Sequence, residues 1–449
     1  MLKRIVLIVF FSLAVLTGLL HSRSTAKLSP NVIANTFPDA HDKPPAGWTG
    51  PVFKLSQDYP TVMPTPEAYP WKKFDFKTQP MEYLKAVLAY GFEGNTDVDF
   101  VVEKNTIRKW YHAPWMHFGP NGREFIHGMT HERSSRPKEL DPLQTSTWQN
   151  WAVGFYNAPG GYVIGRVWAN PTSPDPTLAQ FPDGTMSIKL LFTQATTSQV
   201  PYLANSVEWL ADINRVTATG KQPEPLRLLQ IDVAVRDKRA DSTTGWVFGT
   251  FTYDANAPGA TPWDRIVPIG LMYGNDPTKV TNGGTLVQTI INPDLHVAEH
   301  LGYKGRLNGP VDNPVSSCLS CHSTAQVSLD LSKPTRSGVP PTNPSSTDLK
   351  LYFRNIKSGT PFDTGYTPLD YSLQLQVGIA NLAKSGGMHL ATPQAIASSA
   401  GGRRVVGPQH GFYASRGINV APMERDGTPV GQGTRKRTRR HRRSRMSAR

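Results

Sequence analysis

The run Trp151-Ala152-Val153-Gly154-Phe155-Tyr156 decides the fold class, because large apolar side chains return at every second position. That period sends alternate side chains to opposite faces of an extended chain and marks a strand. Tyr162-Val-Ile-Gly-Arg-Val-Trp168 follows after Pro159-Gly160-Gly161 and reads as the second strand of a hairpin. The stretches 185–192, 226–235, 245–253 and 266–272 continue the strand pattern. Between them, 203–216 sets Leu203, Val207, Leu210 and Ile213 on one helical face. Together these predict a mainly β (α+β) fold, an antiparallel sheet with a few helices packed on it, occupying a body over 79–312.

Towards the N-terminus, 81–90 predicts a short helix, with Tyr83, Leu84, Val87 and Leu88 on one face and Gly91 as the stop. Residues 27–78 are rich in proline, which fixes φ and removes backbone donors, so regular elements are not expected there. Trp48, Phe53, Tyr59, Tyr69, Trp71, Phe74 and Phe76 are interleaved with the prolines, and a wrap whose aromatics sit in grooves of the body is expected. Residues 1–26 read as a secretory signal. Lys3 and Arg4 precede an apolar run from Ile5 to Leu20, and Ser24-Thr25-Ala26 offers small residues for cleavage. An uncleaved N-terminal membrane anchor is the alternative, and export to the periplasm is the expectation.

The chain carries a formal net charge of +14, but nine Arg/Lys and no acid fall in Arg435–Arg449. The basicity therefore belongs to a tail, and the body is close to neutral, which argues against nucleic acid as the main partner. Residues 385–449 are dominated by Gly, Ser, Ala and Arg without periodicity, and a solvated, disordered basic tail is expected, capable of non-specific contact with an anionic membrane or nucleic acid. No repeat, phosphate-binding loop or nucleophile elbow stands out.

Past the sheet, 313–384 holds Cys318-Leu319-Ser320-Cys321-His322 and two helix candidates, 348–356 and 370–382, each opening on an aspartate suited to capping. C-x-x-C-H is the attachment pattern of a c-type haem. Two thiols three positions apart can each add to a vinyl group of the porphyrin, and the following imidazole can reach the iron. A disulfide, a thioredoxin-like pair or half a zinc site are the competing readings. A redox pair needs a βαβ context, and a zinc site needs further soft ligands, whereas the chain has only two cysteines. One covalent haem c, with His322 as axial ligand, is the expectation. It agrees with export, because such haem is attached outside the bacterial cytoplasm.

What faces the iron opposite His322 decides the chemistry. Met388, sixty-six residues on, and Met272 on a strand are candidate sixth ligands. So are His296 and His300 of His296-Val-Ala-Glu-His300, which also matches an inverted zinc-protease motif. That motif wants a downstream glutamate, and none follows Glu299 until Glu424. An open sixth position is expected over methionine ligation. A histidine-rich loop holds His112, His117, His127 and His131, the last two spaced i, i+4 beside Glu132, and reads mainly as loop polarity.

Phe181-Pro-Asp-Gly-Thr-Met-Ser-Ile-Lys-Leu-Leu-Phe192, then Val233-Ala-Val-Arg-Asp237, then Gly245-Trp-Val-Phe-Gly-Thr-Phe251, then the haem peptide, resembles the cytochrome P-460 / c-prime-beta family in order and content over about 151–330. The resemblance implies a small β fold with haem against the sheet, in a family of hydroxylamine-oxidising enzymes and nitric-oxide-binding relatives. It also implies a lysine joined to the porphyrin, for which Lys189 is the candidate. An exposed strand lysine is the competing reading. The chain departs from the family in its long connection between Phe251 and Cys318 and in both extended ends. Three functions are therefore expected to compete. The first is a periplasmic mono-haem cytochrome c that transfers electrons to a redox partner protein or binds a small ligand. The second is a P-460-like oxidoreductase acting on a small nitrogen compound such as hydroxylamine or nitric oxide. The third is a module binding membrane or nucleic acid through its arginine tail.

Overall fold

The computed structural model describes Phe37 and residues 48–116, 124–213, 223–297, 300–329, 333–341 and 343–385. Residues 1–26, read above as a secretory signal, residues 386–449 of the expected basic tail, and with them Met388, lie outside these residues. No helix among the described residues is long and apolar enough to cross a membrane.

The fold is mainly β, as the alternating pattern predicts. Seven strands form a continuous antiparallel path: β1 (Thr130–His131), β2 (Asn150–Tyr156), β3 (Met186–Thr193), β5 (Glu224–Arg236), β6 (Trp246–Tyr253), β7 (Ile266–Met272) and β8 (Thr289–Ile291). An eighth, β4 (Glu208–Ala211), pairs with the first half of β5 off this path. The hydrogen-bond register aligns Gly154, Lys189, Asp232, Thr250 and Gly270 across five strands, so these residues share one face of the sheet.

The opposite face is apolar. Helix α1 (Pro80–Phe92) lays Tyr83, Leu84, Val87 and Leu88 against Ile188, Leu190, Ile231, Val233 and Leu271. Each such fully buried side chain contributes about 1.5–3 kcal/mol of transfer free energy. The helix runs through Gly91, which is not its stop. A Cβ there would meet Ile188 Cδ1 at 2.8 Å, so the glycine serves close helix–sheet packing, and the chain turns at Gly94 with φ +73°. Tyr59, Tyr69, Trp71 and Phe76 of the proline-rich segment are buried, Trp71 stacked on Tyr69 with centroids 4.8 Å apart.

Three expectations fail locally. Residues 158–167 form helix α2 (Ala158–Val167), not the second strand of a hairpin. Asn157 caps it through Gly160 N–H, Pro159 pre-sets its first turn, and Gly161 and Gly165 admit the rings of Tyr111 and Tyr59. Apolar residues all round this helix mimic a strand run. Within the helix expected over 203–216, Glu208–Ala211 form strand β4 instead: edge pairing with β5 wins over weak helical spacing, and 214–222 lie outside the described residues. The two C-terminal helices open on serines, not aspartates. A short helix α3 (Cys318–His322) comes first. Then α4 (Ser346–Tyr352) is capped by Ser345 in a capping box with Asp348, and α5 (Leu373–Lys384) by Ser372. A two-stranded ribbon, β9 (Gln326–Val327) with β10 (Thr367–Pro368), links them.

Leu319, Phe248, Met272, Val163, Leu375 and Ile379 belong to one apolar core on the second face of the sheet. The Cys318–His322 segment is thus packed on the strands that precede it.

Candidate functional site

Helix α3 begins at Ser317, whose Oγ accepts from Ser320 N–H at 3.0 Å while Ser320 Oγ accepts from Ser317 N–H at 2.8 Å. This reciprocal cap fixes a single helical turn, and positions i and i+3 of such a turn share a side. Cys318 and Cys321 therefore both line a cleft on the polar face of the sheet. Cys318 Sγ lies 3.6 Å from Thr250 Oγ1, and both thiols are free. Burial first, then the acids Asp312 and Asp232, pushes the Cys318 thiol well above its ordinary range; burial and Asp312 push Cys321 to about 12. Both groups are therefore neutral thiols in the cofactor-free chain. Gly338 crosses so close to Cys321 that a Cβ would stand 2.5 Å from its sulfur.

His322 also opens into the cleft, its ring 4.8 Å from that of Phe248. Its Nδ1 lies 3.0 Å from the Tyr371 carbonyl oxygen. A carbonyl only accepts, so Nδ1 carries the hydrogen and Nε2 presents its lone pair. Burial lowers the ring to about 4, partly opposed by that hydrogen bond, so the imidazole is neutral at physiological pH. Tyr371 and its neighbour Asp370 have φ of +66° and +45°, conformations that cost a non-glycine residue about 1–2 kcal/mol each.

The cleft is open to solvent on one side and lined by both polar and apolar side chains. Its floor is the aligned polar row. Lys189 Nζ pairs with Glu132 at 2.8 Å. Gln230 Oε1 accepts from Val311 N–H at 2.9 Å, which turns its Nε2 to donate to Asp232 at 2.9 Å and to Asp312 at 3.0 Å. Thr250 Oγ1 donates to Asp232 at 3.0 Å. Desolvation alone would lower Lys189, but Glu132, Asp232 and Asp312 outweigh it and hold the amine above its usual range. Asp232 is pushed up to about 7, by desolvation and then by Asp312, against the pull of Lys189. Asp312 is raised for the same leading reason.

Four residues singled out in the sequence, Cys318, Cys321, His322 and Lys189, thus come together. The proposed sixth ligands do not join them. Met272 is fully buried in the apolar core and does not line the cleft, because β7 lies beyond its edge. His296 is exposed and His300 half-buried, and neither lines the cleft; Met388 lies outside the described residues. Ala298 and Glu299 are also outside them, and no cluster of His, Cys, Asp and Glu fit for a metal ion occurs among the described residues. His127 stacks on Trp209 with centroids 4.1 Å apart, and His131 edges onto Trp151 on the sheet's first strand.

Sequence reasoning missed Asp232, Asp312 and Met116 and took Glu132 for loop polarity, yet all four line the cleft. Asp232 left a signal, an acid in the middle of the apolar run Leu228–Val235, where an unpaired charge would be costly. Asp312 and Met116 left none. The residues able to hold a cofactor are the two thiols and the Nε2 of His322, with Lys189 and the acids on the adjoining wall. Comparison with protein-family models, with curated proteins and with solved structures found no match to this chain, so its functional assignment rests on the chemistry of this cleft.

Proposed function

We propose that this chain is an exported mono-haem c-type cytochrome, its porphyrin bound through Cys318 and Cys321 and its iron through His322, with a cleft that admits a small ligand. The observation that carries the reading is that both thiols, a neutral imidazole with Nδ1 already engaged, and a charged row open into one cleft. The donor set fits: thiols one helical turn apart suit thioether attachment, and an Nδ1–H fixed on a carbonyl leaves Nε2 for iron. When bound, the haem would supply one-electron redox chemistry and the capacity to bind a small ligand. The Tyr371 carbonyl orients His322. Phe248 lies against its ring and is backed by Trp246 and Tyr371. Lys189 holds a positive charge on the cleft wall, while Glu132, Asp232 and Asp312 hold protons or negative charge there.

A charged wall suits ligand binding or oxidoreductase chemistry better than a sealed electron relay, which apolar side chains and a second fixed axial group would serve. The P-460-like reading, with Lys189 joined to the porphyrin and a small nitrogen compound as substrate, draws support from Lys189 sharing the cleft with the cysteines. Glu132, at 2.8 Å, fixes the lysine on the cleft wall; joining its amine to a porphyrin carbon would in addition need a two-electron oxidant from outside the chain. The electron-carrier reading draws support from Met116, a thioether on the cleft lining.

The test is expression of the full chain in a host competent for c-type maturation. One haem of added mass and a Soret band are expected, with single-cysteine variants keeping one thioether and the double variant none. Carbon monoxide is expected to change the reduced spectrum. A mature protein at the mass of its bare amino acids would sink the proposal. A reduced spectrum indifferent to carbon monoxide would leave the electron carrier, with Met116 as the first ligand to mutate. A red-shifted spectrum persisting after denaturation, and lost in Lys189→Ala, would select the crosslinked enzyme.

A further inference from the structure

The turn that presents the Tyr371 carbonyl to His322 is built in an unfavourable way. Ser372 N–H donates to the Leu369 carbonyl at 2.9 Å, closing a four-residue turn whose two central residues, Asp370 and Tyr371, both have positive φ. Such turns are normally filled by Asn-Gly, since a side chain at either position is crowded, and a large aromatic at the second is rare. Buried outliers of this kind persist only where their surroundings over-determine them, and they gather at functional sites.

The surroundings here converge on one carboxylate. Asp370 is 2 % exposed. Its Oδ1 accepts from Trp246 Nε1–H at 3.0 Å and from Gly359 N–H at 3.2 Å, and its Oδ2 accepts from Phe181 N–H at 2.9 Å. The three donors come from the start of β6, from the loop after α4 and from the turn before β3. Each is remote from Asp370 in sequence or across the core, and none belongs to the turn itself. Tyr371 adds a fourth tie, its hydroxyl donating to the Ile356 carbonyl at 2.5 Å. Leu369 N–H, donating to Ala325 O at 3.0 Å, anchors the turn's first residue just past α3. The Asp370 carboxylate thus locks the turn to the sheet, and the turn's second central carbonyl meets His322.

We propose that Asp370 is a positioning residue that sets the tautomer and the ring plane of His322 by clamping the left-handed Asp370-Tyr371 turn. Its value for iron ligation rests on the haem reading above; its effect on the imidazole does not. The carboxylate never touches His322. It acts through the backbone, by holding the Tyr371 carbonyl where Nδ1–H must donate to it, which leaves Nε2 as the free lone pair.

The experiment compares the full chain with its Asp370→Ala variant by ¹⁵N–¹H correlation of the His322 ring, in haem-free protein. Wild type is expected to show one tautomer, with hydrogen on Nδ1. Asp370→Ala is expected to show a mixture of tautomers with its fold intact by amide spectrum. An unchanged Nδ1–H tautomer in the folded variant overturns the proposal. If Asp370→Ala does not fold, Asp370→Asn carries the same test, because it replaces one acceptor oxygen with a donor amide, and the same two outcomes apply. Tyr371→Gly keeps the turn and its carbonyl and is expected to retain the tautomer; loss of it there would assign the positioning to the tyrosine ring and overturn the role of Asp370. In haem-bearing protein, a weakened Nδ1–H bond makes the imidazole a poorer donor, so the Asp370→Ala midpoint potential is expected to rise. Absence of haem from wild type and variant alike would count against the functional reading alone, since the tautomer test needs none.

Discussion

Asp232 and Asp312 accept hydrogen bonds from the same amide, Gln230 Nε2, with Glu132 on the same cleft wall and Lys189 as the neighbouring ammonium. Lys189 faces three carboxylates, and the other cation on the lining, Arg133, is paired with Glu139; in a half-desolvated site a retained proton relieves the excess of negative charge. Because Asp232 is raised to about 7, the native chain binds its proton more tightly than the unfolded chain does. The associated stability is fully present below about pH 4 and is lost as pH rises through about 7. Asp232→Asn is therefore expected to gain stability relative to wild type as pH rises across that window, read as the difference in unfolding free energy from urea titrations at each pH. A difference that does not vary with pH would show an ordinary aspartate. The opposing titration of His322 is common to both proteins and cancels in the comparison. Lys189→Met removes the cation and leaves the acids, at a cost on the order of 1–3 kcal/mol near pH 7 because the site is partly solvated. The cost shrinks on acidification, and chemical denaturation at two pH values measures it.

Helix α1 and strand β6 meet where Leu84 covers Gly249: a Cβ on that glycine would stand 2.2 Å from Leu84 Cδ2. Leu84→Ala leaves a hole over the sheet and is expected to cost about 2–5 kcal/mol. Gly249→Ala in the native background overpacks the same spot by about 1–3 kcal/mol. The double variant is expected to be more stable than the two losses added together, because each change makes room for or fills the other. Strict additivity in denaturant midpoints would show that α1 does not rest on Gly249. The cap of α5 offers a smaller test of the same kind. Ser372 Oγ accepts from Leu375 N–H at 3.1 Å, and Ser372→Ala is expected to cost about 1 kcal/mol.

The whole molecule is a sheet with two unlike faces, one closed by α1 and the proline-rich segment, the other shared between an apolar core and the cleft. Trp71, fully buried between Tyr69 and Tyr90, ties that segment to the body. Trp71→Ala is expected to cost about 3–5 kcal/mol and to lower the single thermal midpoint of the chain. A midpoint left unchanged would mean that residues 48–78 fold apart from the sheet. The sequence alone determined the strands 185–192, 226–235, 245–253 and 266–272, the burial of Tyr59, Tyr69, Trp71 and Phe76 and the spacing of two thiols and an imidazole, because strand period and short motifs are local properties. It misread 158–167 and 208–211, where capping by Asn157 and edge pairing with β5 outweighed a weak periodic signal. Only the tertiary structure decided that Lys189 and Asp232 face the thiols, that Asp312 joins them, and that a strained turn at Asp370-Tyr371 holds His322. Those contacts join residues tens to hundreds of positions apart, and their free energy exists only once the sheet has brought the distant segments together.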